Sequence, residues 1–177
     1  KKDCLIKALG IDQLYGPAWK AVGLGLKKGG ITTVNGKKHT QQDCFKKAVE
    51  RDIESAENWT LLASTMTKPS HVVTINGLRF TAIECHIKAL TMSRNNNRLW
   101  HNLGTLLHHY KEAIKVNREE VREKDCYRKA LELNPSQTET WTALNMSLRK
   151  RETVEIDGMI YTCHLFRRFL FSLSSYL

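Results

Sequence analysis

Seven histidines, five cysteines and eighteen carboxylates are the side chains of this 177-residue sequence suited to acid–base, nucleophilic or metal chemistry. A zinc site needs several His or Cys side chains at ligand spacing. Cys4, Cys44, Cys85, Cys126 and Cys163 form no C-x-x-C pair. His101 and His108, seven residues apart, would share a helical face opposite the core stripe described below, but no acid or Cys stands at matching spacing. His108 and His109 are adjacent, and adjacent residues on a helix diverge by about 100°. No phosphate-cradling G-x-x-x-x-G-K-[ST] loop, no G-x-G-x-x-G after a strand and no G-x-S-x-G elbow is present. Gly23-Leu24-Gly25 falls inside a helical stripe, and Gly29-Gly30 reads as the C-terminal stop of that helix. The expectation is a chain that is not an enzyme and carries neither metal nor cofactor.

The cysteines make better sense as part of a period. Trp19, Trp59, Trp100 and Trp141 are spaced 40, 41 and 41 residues apart, and Cys4, Cys44, Cys85 and Cys126 share those spacings. Each of these Cys is followed four residues later by Ala8, Ala48, Ala89 or Ala130. A period near 40 on three residue types indicates stacked supersecondary units. From each Trp an apolar stripe runs at i, i+3, i+4 and i+7: Trp19, Val22, Gly23, Leu26; Trp59, Leu62, Ala63, Met66; Trp100, Leu103, Gly104, Leu107; Trp141, Leu144, Asn145, Leu148. That is one face of a helix. A second helix carries the Cys and Ala, as in Cys44, Phe45, Ala48, Val49 and in Cys126, Tyr127, Ala130, Leu131. Free Cys acts here as a small apolar residue filling a recurrent slot. Free thiols of this kind place the chain in a reducing compartment, the cytoplasm or an organelle.

Between the helices lie strand–turn–strand patterns: 31–40 around Asn35-Gly36, 72–81 around Asn76-Gly77, and 154–162 around Asp157-Gly158. These dipeptides supply the two positive-φ residues of a type I′ hairpin turn. Thr40-x-x-Asp43 and Thr81-x-x-Glu84 then read as capping boxes that start the second helix. The third unit has Asn117-Arg118 in the turn slot and Arg122 in the cap slot. A break near Asn117 is still expected there, because Trp100 and Cys126 keep the 26-residue spacing of Trp59 and Cys85.

Trp100, Leu103, Gly104 and Leu107, followed by Tyr127, Ala130 and Asn134-Pro135 ahead of Trp141, resemble the tetratricopeptide repeat. That family's repeat has 34 residues, and the excess here is the inserted hairpin. The resemblance implies a mainly α, tetratricopeptide-like α-solenoid of stacked antiparallel helix pairs with small β-hairpin insertions. It would be a single domain over 1–177, with a partial repeat at 1–15 and repeats at about 16–55, 56–96, 97–137 and 138–177. It also implies a non-catalytic scaffold that binds a peptide or protein in a concave groove. Carried over position by position, that groove is lined by Lys20, Leu24 and Lys27; Glu57, Thr60 and Ser64; Arg98, His101, Thr105 and His108; and Glu139, Thr142, Met146 and Arg149. Lys27, Lys28, Lys68, Arg149 and Lys150 gather at first-helix ends, where they complement the helix dipole. The chaperone-binding members use a Lys and Asn set to grip a carboxylate; Lys20 fits one slot, but Leu24 and Leu61 stand where Asn is needed.

The net charge of +10, with ten Lys against four acids in residues 1–50, favours an acidic or mixed polar partner. RNA binding is the alternative class, ranked lower because the Trp residues are committed to the core and few aromatics remain to stack on bases. Self-assembly is a third, resting on the terminal half-units. The tail from Leu165 to Leu177 lacks a polar outer face, Phe166 rather than Cys163 falls in the Cys slot, and Leu170 falls in the Ala slot. No apolar run approaches the ~20 residues that cross a bilayer, and the start lacks a signal-peptide pattern.

Overall fold

The computed structural model describes residues 2–27, 29–68, 70–108, 113–149 and 152–162. Expectations for Lys28, Lys150, Cys163, Phe166, Leu170 and the tail lie outside these residues, as does that for His109. The chain divides into two compact units, Lys1–Met92 and Ser93–Leu177. The first contains α1 (Lys2–Ile11), α2 (Gly16–Leu24), β1 (Ile31–Val34), β2 (Lys37–Thr40), α3 (Gln41–Arg51), α4 (Ala56–Ser64), β3 (Val72–Ile75), β4 (Leu78–Thr81) and α5 (Ala82–Met92). The second contains α6 (Asn97–Leu107), β5 (Ile114–Val116), β6 (Glu119–Val121), α7 (Glu123–Leu133), α8 (Thr138–Ser147), β7 (Thr153–Ile156) and β8 (Met159–Thr162). The order is therefore helix, hairpin, helix, repeated, and the protein is mainly α with four antiparallel two-stranded hairpins among the described residues.

The apolar stripes of the first helices are the core. Trp19, Trp59, Trp100 and Trp141 are all nearly inaccessible, together with Val22, Leu62, Leu103 and Leu144. Each indole N–H donates to the backbone carbonyl six residues earlier, in the loop that enters the first helix: Trp19 to Gln13 (2.8 Å), Trp59 to Ile53 (2.7 Å), Trp100 to Arg94 (2.8 Å) and Trp141 to Pro135 (2.6 Å). This explains why the slot is Trp rather than Phe. Trp combines a large apolar body with a donor at its edge, which Phe lacks, and each such bond contributes about 0.5–1.5 kcal/mol net.

Small first-helix residues meet rings on the second helix. A Cβ on Gly23 would lie 2.6 Å from Cε1 of Phe45, and one on Gly104 would lie 2.6 Å from Cε1 of Tyr127. The equivalent pair in the second repeat is Ala63 and His86, where a smaller ring accompanies the larger partner.

The hairpins are seated by the residue before each turn. Val34, Ile75, Val116 and Ile156 are all buried. All four turns place two successive residues at positive φ, as a type I′ turn requires. Asn117-Arg118 does so without glycine, so the break expected near Asn117 is a complete third hairpin. Thr40 and Asp43 form a capping box (Asp43 N–H to Thr40 Oγ1, 3.1 Å; Thr40 N–H to Asp43 Oδ2, 2.9 Å), and Thr81 and Glu84 form another. Arg122 has no acceptor, so only the return bond from its N–H to Asp125 Oδ2 is made, at 2.9 Å.

Two expectations are corrected. Helix α2 stops at Leu24, well before Gly29-Gly30. Leu26 stays in the core through a tighter turn (Leu26 N–H to Gly23 O, 3.2 Å), while the Gln41 amide donates to the carbonyls of Gly23 and Leu26, each at 3.0 Å. A side chain from the next helix thus closes the helix end that glycine was expected to close. The second correction concerns the cysteines. Cys44, Cys85 and Cys126 are fully buried, but Cys4 is exposed.

Candidate functional site

In the first unit the first-helix faces left over from the core bound a cleft of about 520 Å³. Leu24 from the end of α2, Leu61 and Ser64 from α4, Thr65 just after it, and Gln41, Gln42 and Phe45 from the start of α3 form its walls. Two residues of the expected groove, Leu24 and Ser64, therefore come together here, and Leu24 is 55% exposed. The walls combine apolar surface with uncharged donors and acceptors. The Ser64 hydroxyl donates to the Leu61 carbonyl at 2.7 Å. The Gln42 Nε2 is buried with no hydrogen-bond partner among the described residues.

The other expected residues of this unit lie elsewhere. Lys20 pairs with Glu57 (2.8 Å) and lines a smaller recess of about 250 Å³ with Tyr15, Pro17 and Asp52. That pair is partly exposed, so its contribution to stability is within about 1 kcal/mol. The Thr60 hydroxyl donates back to the Ala56 carbonyl at 2.7 Å. Lys27 lies beyond the end of α2 and is exposed.

In the second unit the expected groove residues are bound up in local structure. His101 was expected on the face opposite the core. Instead it is half-buried, with Nδ1 2.9 Å from Thr140 Oγ1 and its ring centroid 5.7 Å from that of Tyr127. Burial lowers its pKa, and the nearby Glu139 opposes that shift. His108 Nδ1 contacts Glu123 Oε1 at 2.8 Å. The two histidines therefore answer to different partners and do not form a pair. Thr105 and Thr142 donate to the carbonyls of His101 (3.1 Å) and Thr138 (3.0 Å). The Arg149 N–H donates to Glu152 Oε2 at 2.8 Å. Arg98, Glu139 and Met146 are exposed. The recess of about 230 Å³ in this unit, lined by Arg94, Trp100, Asn117, Glu119 and Lys129, includes none of the expected residues.

Among the described residues no three His, Cys, Asp or Glu side chains converge as a metal set. Burial, reinforced by Glu84, pushes the Cys85 thiol up to about 12; burial, with Asp125 adding to it, does the same to Cys126. Both remain protonated, poor nucleophiles at neutral pH. Among the described residues no helix is long and apolar enough to cross a membrane.

Sequence reasoning did not single out Gln41 and Gln42. A signal was present: the positions that open the second helix read Gln41-Gln42, Ala82-Ile83 and Glu123-Lys124 in successive repeats. The pair is polar in the first and third repeats and apolar in the second, so packing does not dictate these positions. No protein-family model matches the sequence, and no curated protein matches it.

Proposed function

We propose that the chain is a tetratricopeptide-type scaffold of the α-solenoid class, working in a reducing compartment, that holds a segment of a protein partner without catalysing a reaction. The cleft of the first unit is where it grips. The carrying observation is that Leu24 and Ser64, both left out of the core by the repeat pattern, line one cleft. Such a cleft, with apolar surface beside uncharged polar groups, suits an apolar side chain of an extended segment. The surrounding basic charge favours segments with acidic residues outside the cleft. Burial of all four Trp rings supports a protein partner over RNA, because no Trp face is left as a base-stacking platform.

A random dodecapeptide phage library selected against the full chain tests this. Enriched peptides should carry one apolar anchor, and Leu24→Arg should weaken their binding at least about tenfold, the loss of one anchor burying ~1.5 kcal/mol or more. Equal binding to the Leu24→Arg chain would remove the cleft from consideration.

A further inference from the structure

The first and third repeats carry opposite charges at one place. In the third, Glu119 follows the turn and pairs in register with the buried Val116. Its carboxylate meets the ammonium of Lys129, 2.5 Å away, and that ammonium stands 4.9 Å from the Trp100 ring. In the first, Lys37 pairs in the same register with the buried Val34. Lys47, the counterpart of Lys129, holds its ammonium 5.0 Å from the Trp19 ring. The frame is kept, but a lysine stands where the third repeat has its acid. In the second repeat the position is Leu78, opposite Ile75, so the exchange of acid for cation is particular to the first.

His39 joins the two lysines. Its ring meets the Trp19 ring edge-on, with centroids 4.9 Å apart. Burial and then the charge of Lys47 lower its pKa, Asp43 opposes them, and Lys37 adds to the lowering. Asp43 is the one carboxylate among the charges that act on His39, and its Oδ2 accepts from the N–H and hydroxyl of Thr40, at 2.9 and 2.7 Å. The third repeat has such a capping acid too: Asp125 accepts from the Arg122 N–H, and Lys129 still pairs with Glu119. Neither Lys37 nor Lys47 has an acid partner among the described residues. Like charges therefore gather beside Trp19 without the carboxylate that the fold places beside Trp100, and such a cluster attracts an anion.

We propose that the first repeat binds a carboxylate of an acidic protein segment between Lys37 and Lys47, in the place that Glu119 fills in the third. The occupant's chemistry follows from that likeness, since a glutamate side chain is what the equivalent lysine holds. Two lysines offer point charges rather than the planar fork that suits phosphate. Neither lysine nor His39 lines the cleft of the first unit, so this site stands or falls apart from it.

The indole N–H resonances of the 15N-labelled full chain report on the site, because the Trp19 ring lies against Lys47 and His39. The probe is a blocked decapeptide of alternating glutamate and glycine, added at low salt. The Trp19 resonance should shift saturably, the Trp100 resonance should not, and the glutamine analogue of the probe should move neither. Lys37→Glu, which copies the third repeat, should weaken binding about fivefold or more. Lys38→Glu changes the charge equally but on the other face of the strand, and should weaken binding less than about twofold. Equal losses from the two variants would show diffuse attraction and overturn the site, as would an unmoved Trp19 resonance at ~1 mM probe, a concentration that reveals even weak recognition. A Trp19 shift that saturates at lower concentration with a decamer of adenylate RNA would overturn the choice of a carboxylate.

Discussion

In the second repeat Phe80 of β4 stands edge-on to Trp59, with ring centroids 5.2 Å apart, and the hairpin turns on Asn76-Gly77 before a complete Thr81–Glu84 capping box. In the third, the buried Val121 holds the place of Phe80, Arg118 sits at φ 72° where glycine would be at ease, and Arg122 cannot cap. Lys129 lies over the Trp100 ring, as Lys47 lies over Trp19 in the first repeat, and its ammonium is 2.5 Å from Glu119 Oε2 of the hairpin. The contact with Lys129 holds the Glu119 carboxyl below the usual carboxylate range. The comparison teaches that the hairpin needs a partner for the Trp and a buried residue before the turn, not a particular chemistry. Phe80 and the buried Val121 both fill that place, and the third repeat forms its hairpin with a less favourable turn and cap.

Exchange of residues between the two repeats tests this. The largest effect should come from the ring slot. Gly104→Ala should lower stability by about 1–3 kcal/mol, because the new methyl meets the Tyr127 ring. Adding Tyr127→His, which copies the second repeat, should recover part of that loss; urea midpoints measure both. If the double variant is no better than the single, the ring and the small residue are not a matched pair.

The second repeat should be the more sensitive to acid. His86 is buried, its Nδ1 2.8 Å from the Ala82 carbonyl, and burial lowers its pKa against the opposing pull of that hydrogen bond; burial lowers the pKa of His101 as well. With the folded pKa lowered, the unfolded chain takes up protons first. Stability is therefore full above about pH 6.5 and falls as pH drops through the folded pKa, by at most about 1.4 kcal/mol per pH unit for each histidine. Replacing the pair by that of the first repeat, Ala63→Gly with His86→Phe, should flatten the pH dependence of the urea midpoint between pH 7 and 5.

Turn and cap exchanges are smaller. Arg118→Gly should stabilise the third repeat by about 1 kcal/mol, the cost of a left-handed non-glycine residue. Thr81→Ala should destabilise the second by ~1 kcal/mol, and Arg122→Thr should stabilise the third by somewhat less, since its return bond already exists. Amide exchange in the adjoining hairpins is the readout. An Arg122→Thr chain with slower exchange only in the second repeat would show that the effect is not a cap.

Much of this architecture is legible in residue types alone. Trp, Cys and Ala recur because packing slots recur, and Asn-Gly or Asp-Gly marks three of the four turns. The fourth is legible only through the constant Trp100-to-Cys126 spacing, since Arg118 does not announce a positive φ. The end of α2 was misjudged because the side chain that closes it, Gln41, comes from the next helix. His101 was misplaced for a related reason. A single helix face says nothing of Thr140, 39 residues further on. The candidate cleft was legible at Leu24 and Ser64 but not at Gln41 and Gln42, which line it from the following helix.

The indole bonds to the entering loops carry a mechanical consequence. Each ties a first helix to the strap that enters it, and in the first repeat the following hairpin folds back on the preceding helix, where the Asn35 amide donates to the Gly10 carbonyl at 3.2 Å. A tension applied along the chain would load the strap through the ring, beside the largest buried side chain of the repeat. Elongation would then proceed by catches and slips of one period, each releasing about 130 Å of slack, so that the chain would behave under load as a ratchet rather than as a spring.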